Sequence, residues 1–144
     1  MKKILLVGEL GAIVRNLNEC LSEKYAVQIC SNQLDNVQRM VKIIKPDMIV
    51  ICYLGMEDTG LEIFQWFERG CKTVPILIIT TTIDWERCRE YCQSDNIDKM
   101  FRPIAKEELL DRCRRMLGQK DEFINETIVE RKKEFLLWMT AQWF

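Results

Sequence analysis

Histidine is absent from this chain of 144 residues. Without an imidazole, general acid–base catalysis lacks its commonest player, and any zinc site would have to be built from cysteines and carboxylates alone. Seven cysteines are present, but no C-x-x-C pair occurs, and the closest spacing is Cys88 to Cys92. An odd count without paired spacing reads as reduced thiols used as small hydrophobes in a cytoplasmic protein, not as a disulfide framework. Charge of one sign is also lacking. The 21 basic and 22 acidic residues leave a net charge of -1, which gives no basic excess for nucleic acid. No apolar run approaches the roughly 20 residues that span a bilayer, so no membrane association is expected. Met1-Lys2-Lys3 leads into only a short apolar run before Glu9, unlike a signal peptide. Neither a P-loop nor a G-x-G-x-x-G motif is found, so nucleotide binding has no support. Neither a cofactor nor a metal is expected.

What remains is an ordinary globular balance, 48% hydrophobic and 30% charged, long enough for one domain and a short appendage. The central stretch is Pro46 to Gly60, PDMIVICYLGMEDTG. Met48 to Leu54 is apolar without alternation, as in a strand buried on both faces of a parallel sheet. The Gly55–Gly60 loop then lies at its carboxyl end, where open α/β sheets carry their ligands and chemistry.

Strand and helix signals alternate along the rest of the chain. Lys3 to Gly8 is a buried strand, followed by Ile13, Leu17 and Leu21 at helical spacing. Tyr25 to Cys30 is a less apolar strand nearer an edge. Ser31-Asn32 starts a helix faced by Leu34, Val37, Val41 and Ile44, which Pro46 closes. Leu61, Phe64 and Phe67 face the next helix, which ends near Gly70. Val74 to Thr80 is a second fully apolar strand. Asp84 then caps a helix carrying Trp85, Cys88 and Cys92. A weak fifth strand, Ile97 to Phe101, precedes a helix from Ala105 to Leu117, with Gly118 at its end. Five alternations predict an α/β fold, a five-stranded doubly wound parallel sheet. From Asp121 onward an unbroken pattern predicts an extra C-terminal helix about 36 Å long. The expected domains are therefore 1–118 and a helical extension, 119–144.

The order KILLVGE, PDMIVICYLGMEDTG, PILIITT and FRPI resembles the receiver domain of two-component response regulators, the chemotaxis-regulator fold, which is flavodoxin-like. The resemblance covers about Lys2 to Leu117. It implies a signalling module in which an aspartate ending the third strand takes a phosphoryl group. That aspartate and an acidic pair after the first strand hold a divalent metal. A Thr or Ser after the fourth strand and a Lys after the fifth bind the phosphoryl oxygens. Carried over residue by residue, the phosphoacceptor position falls on Cys52 and the acidic pair on Gly8 and Glu9. The hydroxyl falls on Thr80, the lysine on Arg102 and an aromatic switch residue on Lys99. Thr80 is kept, Arg102 keeps only the charge, and the nucleophile is lost. A hard ion such as Mg²⁺ wants carboxylate oxygens in octahedral geometry, which Glu9 beside a thiol does not offer. The expectation is a pseudo-receiver that has no enzymatic activity and acts through protein–protein contacts.

Two alternatives stay open. One is a receiver phosphorylated at an atypical site; the other is a small-ligand or redox sensor using Cys52, whose thiol Arg102 would acidify. Against these, Cys52 reads as a packed strand-end residue, Thr80 as a hydroxyl with a local backbone partner, and Glu57 and Asp58 as solvated loop acids. In receivers the fourth and fifth helices and the strand between them carry signals to partners. Here that surface runs from about Asp84 to Leu117, with Trp85, Tyr91 and Lys99 as interface candidates. Trp138, Trp143 and Phe144 form an apolar cluster in the last helix, expected either to fold back or to mark an interface. Other signalling proteins, a homodimer through this helix, and an output domain beyond Phe144 are the expected partners.

Overall fold

The computed structural model describes residues 1–55 and 57–118, with the backbone alone described at Glu57, Asp58 and Thr59. The C-terminal helix expected over 119–144, with Trp138 and Trp143, lies outside the described residues. Two units separate at Arg102/Pro103; the boundary expected at residue 118 remains a proposal.

In the first unit five apolar segments pair side by side. They are Lys3–Val7 (β1), Ala26–Cys30 (β2), Met48–Cys52 (β3), Ile76–Thr80 (β4) and Ile97–Phe101 (β5). All pairings are parallel and the order is β2-β1-β3-β4-β5. Every residue of β3 and β4 is buried, whereas β2 and β5, at the two edges of the sheet, are partly exposed. Continuous apolar runs therefore mark the central strands, and the mixed sequences AVQIC and IDKMF mark the edges.

Helices cover both faces of the sheet. Leu5, Val7, Ile49, Ile51, Ile76 and Ile78 point to one face. There they pack with Val37 of Leu34–Ile44 (α2), Phe64 and Phe67 of Glu57–Gly70 (α3), and Cys88 of Thr82–Cys88 (α4). Gly8 and Cys52 lie toward the opposite face, where Val14 of Ala12–Ser22 (α1) approaches them. Helix α2 stops where Lys45 turns left-handed, at φ 52, immediately before Pro46.

Four local expectations change. Helix α3 already starts at Glu57, so the loop after β3 is shorter than Gly55–Gly60, and Glu57 and Asp58 sit in a helical first turn. Acids are favoured there by the amide dipoles. The cap of α4 is Thr81, not Asp84. Its extended backbone lets the hydroxyl accept from the Asp84 N–H at 3.2 Å. Helix α4 is also shorter than expected. It ends at Cys88 and passes into a 3₁₀ turn, Arg89–Tyr91, so Cys92 lies beyond it. Helix α2 likewise begins at Leu34, after Ser31-Asn32.

The second unit, described over residues 103–118, holds Lys106–Met116 (α5). Leu109 and Cys113 are its buried residues. Asp111 pairs with Arg114 and Arg115 along its surface, and Gly118, at φ 68, follows the cap residue Leu117.

Candidate functional site

Strand order reverses between β1 and β3: the chain runs from β1 outward to β2, then returns to β3 on the other side. In such sheets the crevice beyond the strand ends at the reversal is where ligands bind. Here its walls are Gly8 and Glu9 after β1 and Cys52 to Gly55 at the end of β3. A backbone bond from Gly8 N–H to the Cys30 carbonyl, at 3.0 Å, fixes the first of these loops.

Cys52 is the last residue of β3, paired beside Ile79 of β4, and 7% exposed. Burial pushes its thiol up to about 11, and the Arg102 guanidinium offsets this only in part. The acidifying influence of Arg102 is outweighed by desolvation. At neutral pH the group is an uncharged thiol, not an activated thiolate.

Gly8 is buried against the same side chain. A Cβ built there would meet Val14 Cγ2 at 2.9 Å and Cys52 Cβ at 3.1 Å. The position therefore has no room for a carboxylate without repacking. Glu9 beside it is exposed. Among the described residues no group of three or more His, Cys, Asp or Glu side chains is placed to hold a metal. A neutral thiol, a glycine with no free volume and one exposed carboxylate do not fit a Mg²⁺ site.

Thr80 ends β4 and is fully buried, and its hydroxyl donates to the Tyr53 carbonyl at 2.7 Å. That bond ties β4 to the segment leaving β3. A second tie runs through Asp84, whose carboxylate accepts from Gly55 N–H at 3.2 Å and from the Thr81 hydroxyl at 3.2 Å. Gly55 can turn there because it adopts φ 66. Arg102 follows β5, and its N–H donates to the Thr80 carbonyl at 2.9 Å.

The structure thus brings Gly8, Cys52 and Arg102 into one neighbourhood and turns the Thr80 hydroxyl onto the backbone. Trp85 and Tyr91 are half-buried and pack against the core. The Lys99 ammonium stands 4.9 Å from the centre of the Trp85 ring. Two participants were missed in the sequence, Tyr53 and the second role of Asp84. The Thr81-x-x-Asp84 spacing signals the pairing of those two residues at the helix start, but the reach of Asp84 to Gly55, like the backbone carbonyl of Tyr53, leaves no mark in a sequence.

Neither protein-family models nor curated protein sequences give a match to this chain. Solved structures do. The signal receiver domain of a signal transduction histidine kinase from Syntrophus aciditrophicus matches with a TM-score of 0.69 and 22% identity, covering 87% of this chain and 98% of that one. The receiver domain of NtrX from Brucella abortus matches at 0.67 and 16%, over 81% and 99% of the two chains. The signal receiver domain of an HD domain-containing protein from Pseudomonas fluorescens matches at 0.69 and 17%, over 81% and 94%. The fold is therefore that of receiver domains, a flavodoxin-like five-stranded sheet.

Proposed function

We propose that this chain is a signalling module of response-regulator type that is not phosphorylated at the usual position. It is a pseudo-receiver that works through protein–protein contacts and carries no enzymatic activity of its own. The observation that carries this reading is Cys52. The strand-end position holds a buried, neutral thiol, packed against a glycine with no space for an acid. Aspartyl phosphorylation needs a carboxylate to attack and a cation to neutralise the approaching phosphoryl oxygens, and this crevice offers neither. The partners are other signalling proteins or an output domain. Among the structures this fold resembles, receiver domains occur with HD and diguanylate cyclase proteins, which favours such an arrangement here. Dimerisation through residues 119–144 and a cytoplasmic setting belong to the same proposal. Among the described residues no helix is long and apolar enough to cross a membrane.

A thiol sensor at Cys52 is the weaker reading, because burial opposes the thiolate that such chemistry needs. Melting curves in excess Mg²⁺ and in excess chelator test the proposal. A bound ion raises the midpoint by mass action. The two curves are expected to superimpose, and a midpoint that climbs with Mg²⁺ concentration would reinstate a metal-dependent receiver.

A further inference from the structure

Asp84 holds more than the start of its own helix. Its Oδ2 accepts from the Gly55 N–H and from the Thr81 hydroxyl, each at 3.2 Å. One atom therefore joins the loop leaving β3, which walls the crevice, to the first turn of α4. That turn leads on to a second contact. The Trp85 N–H bonds to the Thr81 carbonyl at 2.9 Å, and the Lys99 ammonium of β5 stands 4.9 Å from the centre of the Trp85 ring. The hydroxyl and the aromatic residue that the resemblance makes the switch are both out of play here. Thr80 is committed to the Tyr53 carbonyl, and Lys99 stands at the aromatic position. We propose that Asp84 is a latch coupling the Gly55 loop to the Trp85–Lys99 face, so that a protein contact made there reaches the crevice without a phosphoryl group. The proposal rests on the reading of this chain as a module that works through protein contacts.

The two ties across the strand ends differ in how readily they open. Thr80 is fully buried, and no water stands ready to replace its 2.7 Å bond to Tyr53. Breaking that bond strands a desolvated acceptor, so the tie is fixed. Asp84 and Thr81 are half-buried, Gly55 is exposed, and their bonds are longer. Water can take over either partner, so the latch has a closed and an open state separated by a small free energy. Gly55 makes the open state accessible. At φ 66 it occupies a region that glycine enters without steric penalty, and it leaves that region as easily. The Tyr53 N–H is held by the Ile79 carbonyl at 2.9 Å, which confines the motion to the loop beyond the sheet.

A two-state element biased from both ends is what coupling between two positions requires. A partner that draws Trp85 from Lys99 shifts the first turn of α4, and the Asp84 carboxylate moves with it. By reciprocity, freeing Gly55 weakens the hold on Trp85.

Amide hydrogen exchange, resolved residue by residue in the full chain, tests the coupling in wild type, Asp84→Ala, Lys99→Met and the double variant. The wild-type Gly55 amide should exchange more slowly than an unbonded amide. Asp84→Ala should speed it about tenfold, while the Tyr53 amide inside the sheet keeps its rate. Lys99→Met retains the stem and removes the charge over Trp85. It should speed Gly55 about threefold, although Lys99 lies on β5 and not in that loop. Added to Asp84→Ala, it should change nothing further, because the latch is already open. A merely structural carboxylate would not produce that non-additivity. Asp84→Asn keeps an acceptor oxygen and should retain most of the protection at Gly55. The proposal is overturned by an unprotected Gly55 amide in wild type, by no effect of Lys99→Met on Gly55, or by effects that simply multiply. Should Asp84→Ala quicken Tyr53 as well, the wild-type and Lys99→Met rates still decide. No metal or phosphodonor enters the experiment. A negative result removes the latch and leaves the pseudo-receiver reading intact, whereas a melting midpoint that climbs with Mg²⁺ overturns that reading and leaves these rates as they are.

Discussion

The hydroxyl of Thr80 donates to the backbone carbonyl of Tyr53 at 2.7 Å, across the gap between the ends of β4 and β3. Both residues are fully buried, so the bond is shielded from water and its loss leaves a buried acceptor without this donor. A hydroxyl committed in this way holds two strand ends together and is turned away from an incoming anion. Replacing Thr80 with valine keeps the shape and removes only the donor. The expected cost is about 1–3 kcal/mol, read as a lower denaturation midpoint with an unchanged slope. A variant as stable as wild type would show that the bond is not a structural tie.

Gly8 makes a second prediction, with an unusual sign. Replacing a glycine outside the left-handed region with alanine ordinarily stabilises a protein by about 0.4–1 kcal/mol through the unfolded chain. At Gly8 the added methyl meets Val14 Cγ2 at 2.9 Å and Cys52 Cβ at 3.1 Å. The Cys52 Cβ is fixed to the backbone and cannot rotate away. Gly8→Ala should therefore destabilise by about 1–3 kcal/mol, and Gly8→Asp by more. Adding Val14→Ala should recover part of that loss. Stability equal to or above wild type in Gly8→Ala would contradict the packing argument and reopen the position to an acid.

The Cys52 thiol predicts an alkaline signature. Its folded value is pushed up to about 11, from an ordinary 9.0, chiefly by burial. Between those values the unfolded chain has lost the proton and the folded chain keeps it. Stability must then fall as pH rises from about 9 to about 11 and level off beyond. Two pH units correspond to at most about 3 kcal/mol from this one group. Cys52→Ala should flatten the curve in that window relative to wild type, while leaving the neutral region unaffected by titration. Identical slopes in the two proteins would mean that Cys52 is not held as a buried thiol.

Sheet and helix order were readable because the strands that matter most are written most plainly. MIVIC and ILIIT are buried throughout, and a continuous apolar run leaves no other reading at that length. The edge position of β2 followed from its mixed composition in the same way, whereas β5 was legible only as a weak strand. Boundaries were less readable where two polar residues compete for one role. Thr81 and Asp84 are both good caps, and backbone geometry, not residue type, decides that Thr81 accepts and Asp84 donates. Glu57 and Asp58 suit a loop and a helical first turn equally well, and the structure puts them in the turn. At the crevice the sequence located Gly8, Cys52, Thr80 and Arg102, but not the balance of forces among them. That Arg102 loses to desolvation at Cys52 depends on depth, and that Gly8 is filled depends on where Val14 of α1 comes to rest. Neither is a property of spacing.

The central claim, that this receiver-type fold does not accept a phosphoryl group at its usual strand-end position, is tested most directly by intact mass. Wild-type protein would be incubated with Mg²⁺ and a small phosphodonor and its mass followed with time. The account predicts that the unmodified mass persists, because Cys52 stays a neutral thiol and no metal site forms around Gly8 and Glu9. A gain of one phosphoryl group on wild type would contradict it, and mapping the modified residue would show which side chain has taken over the chemistry.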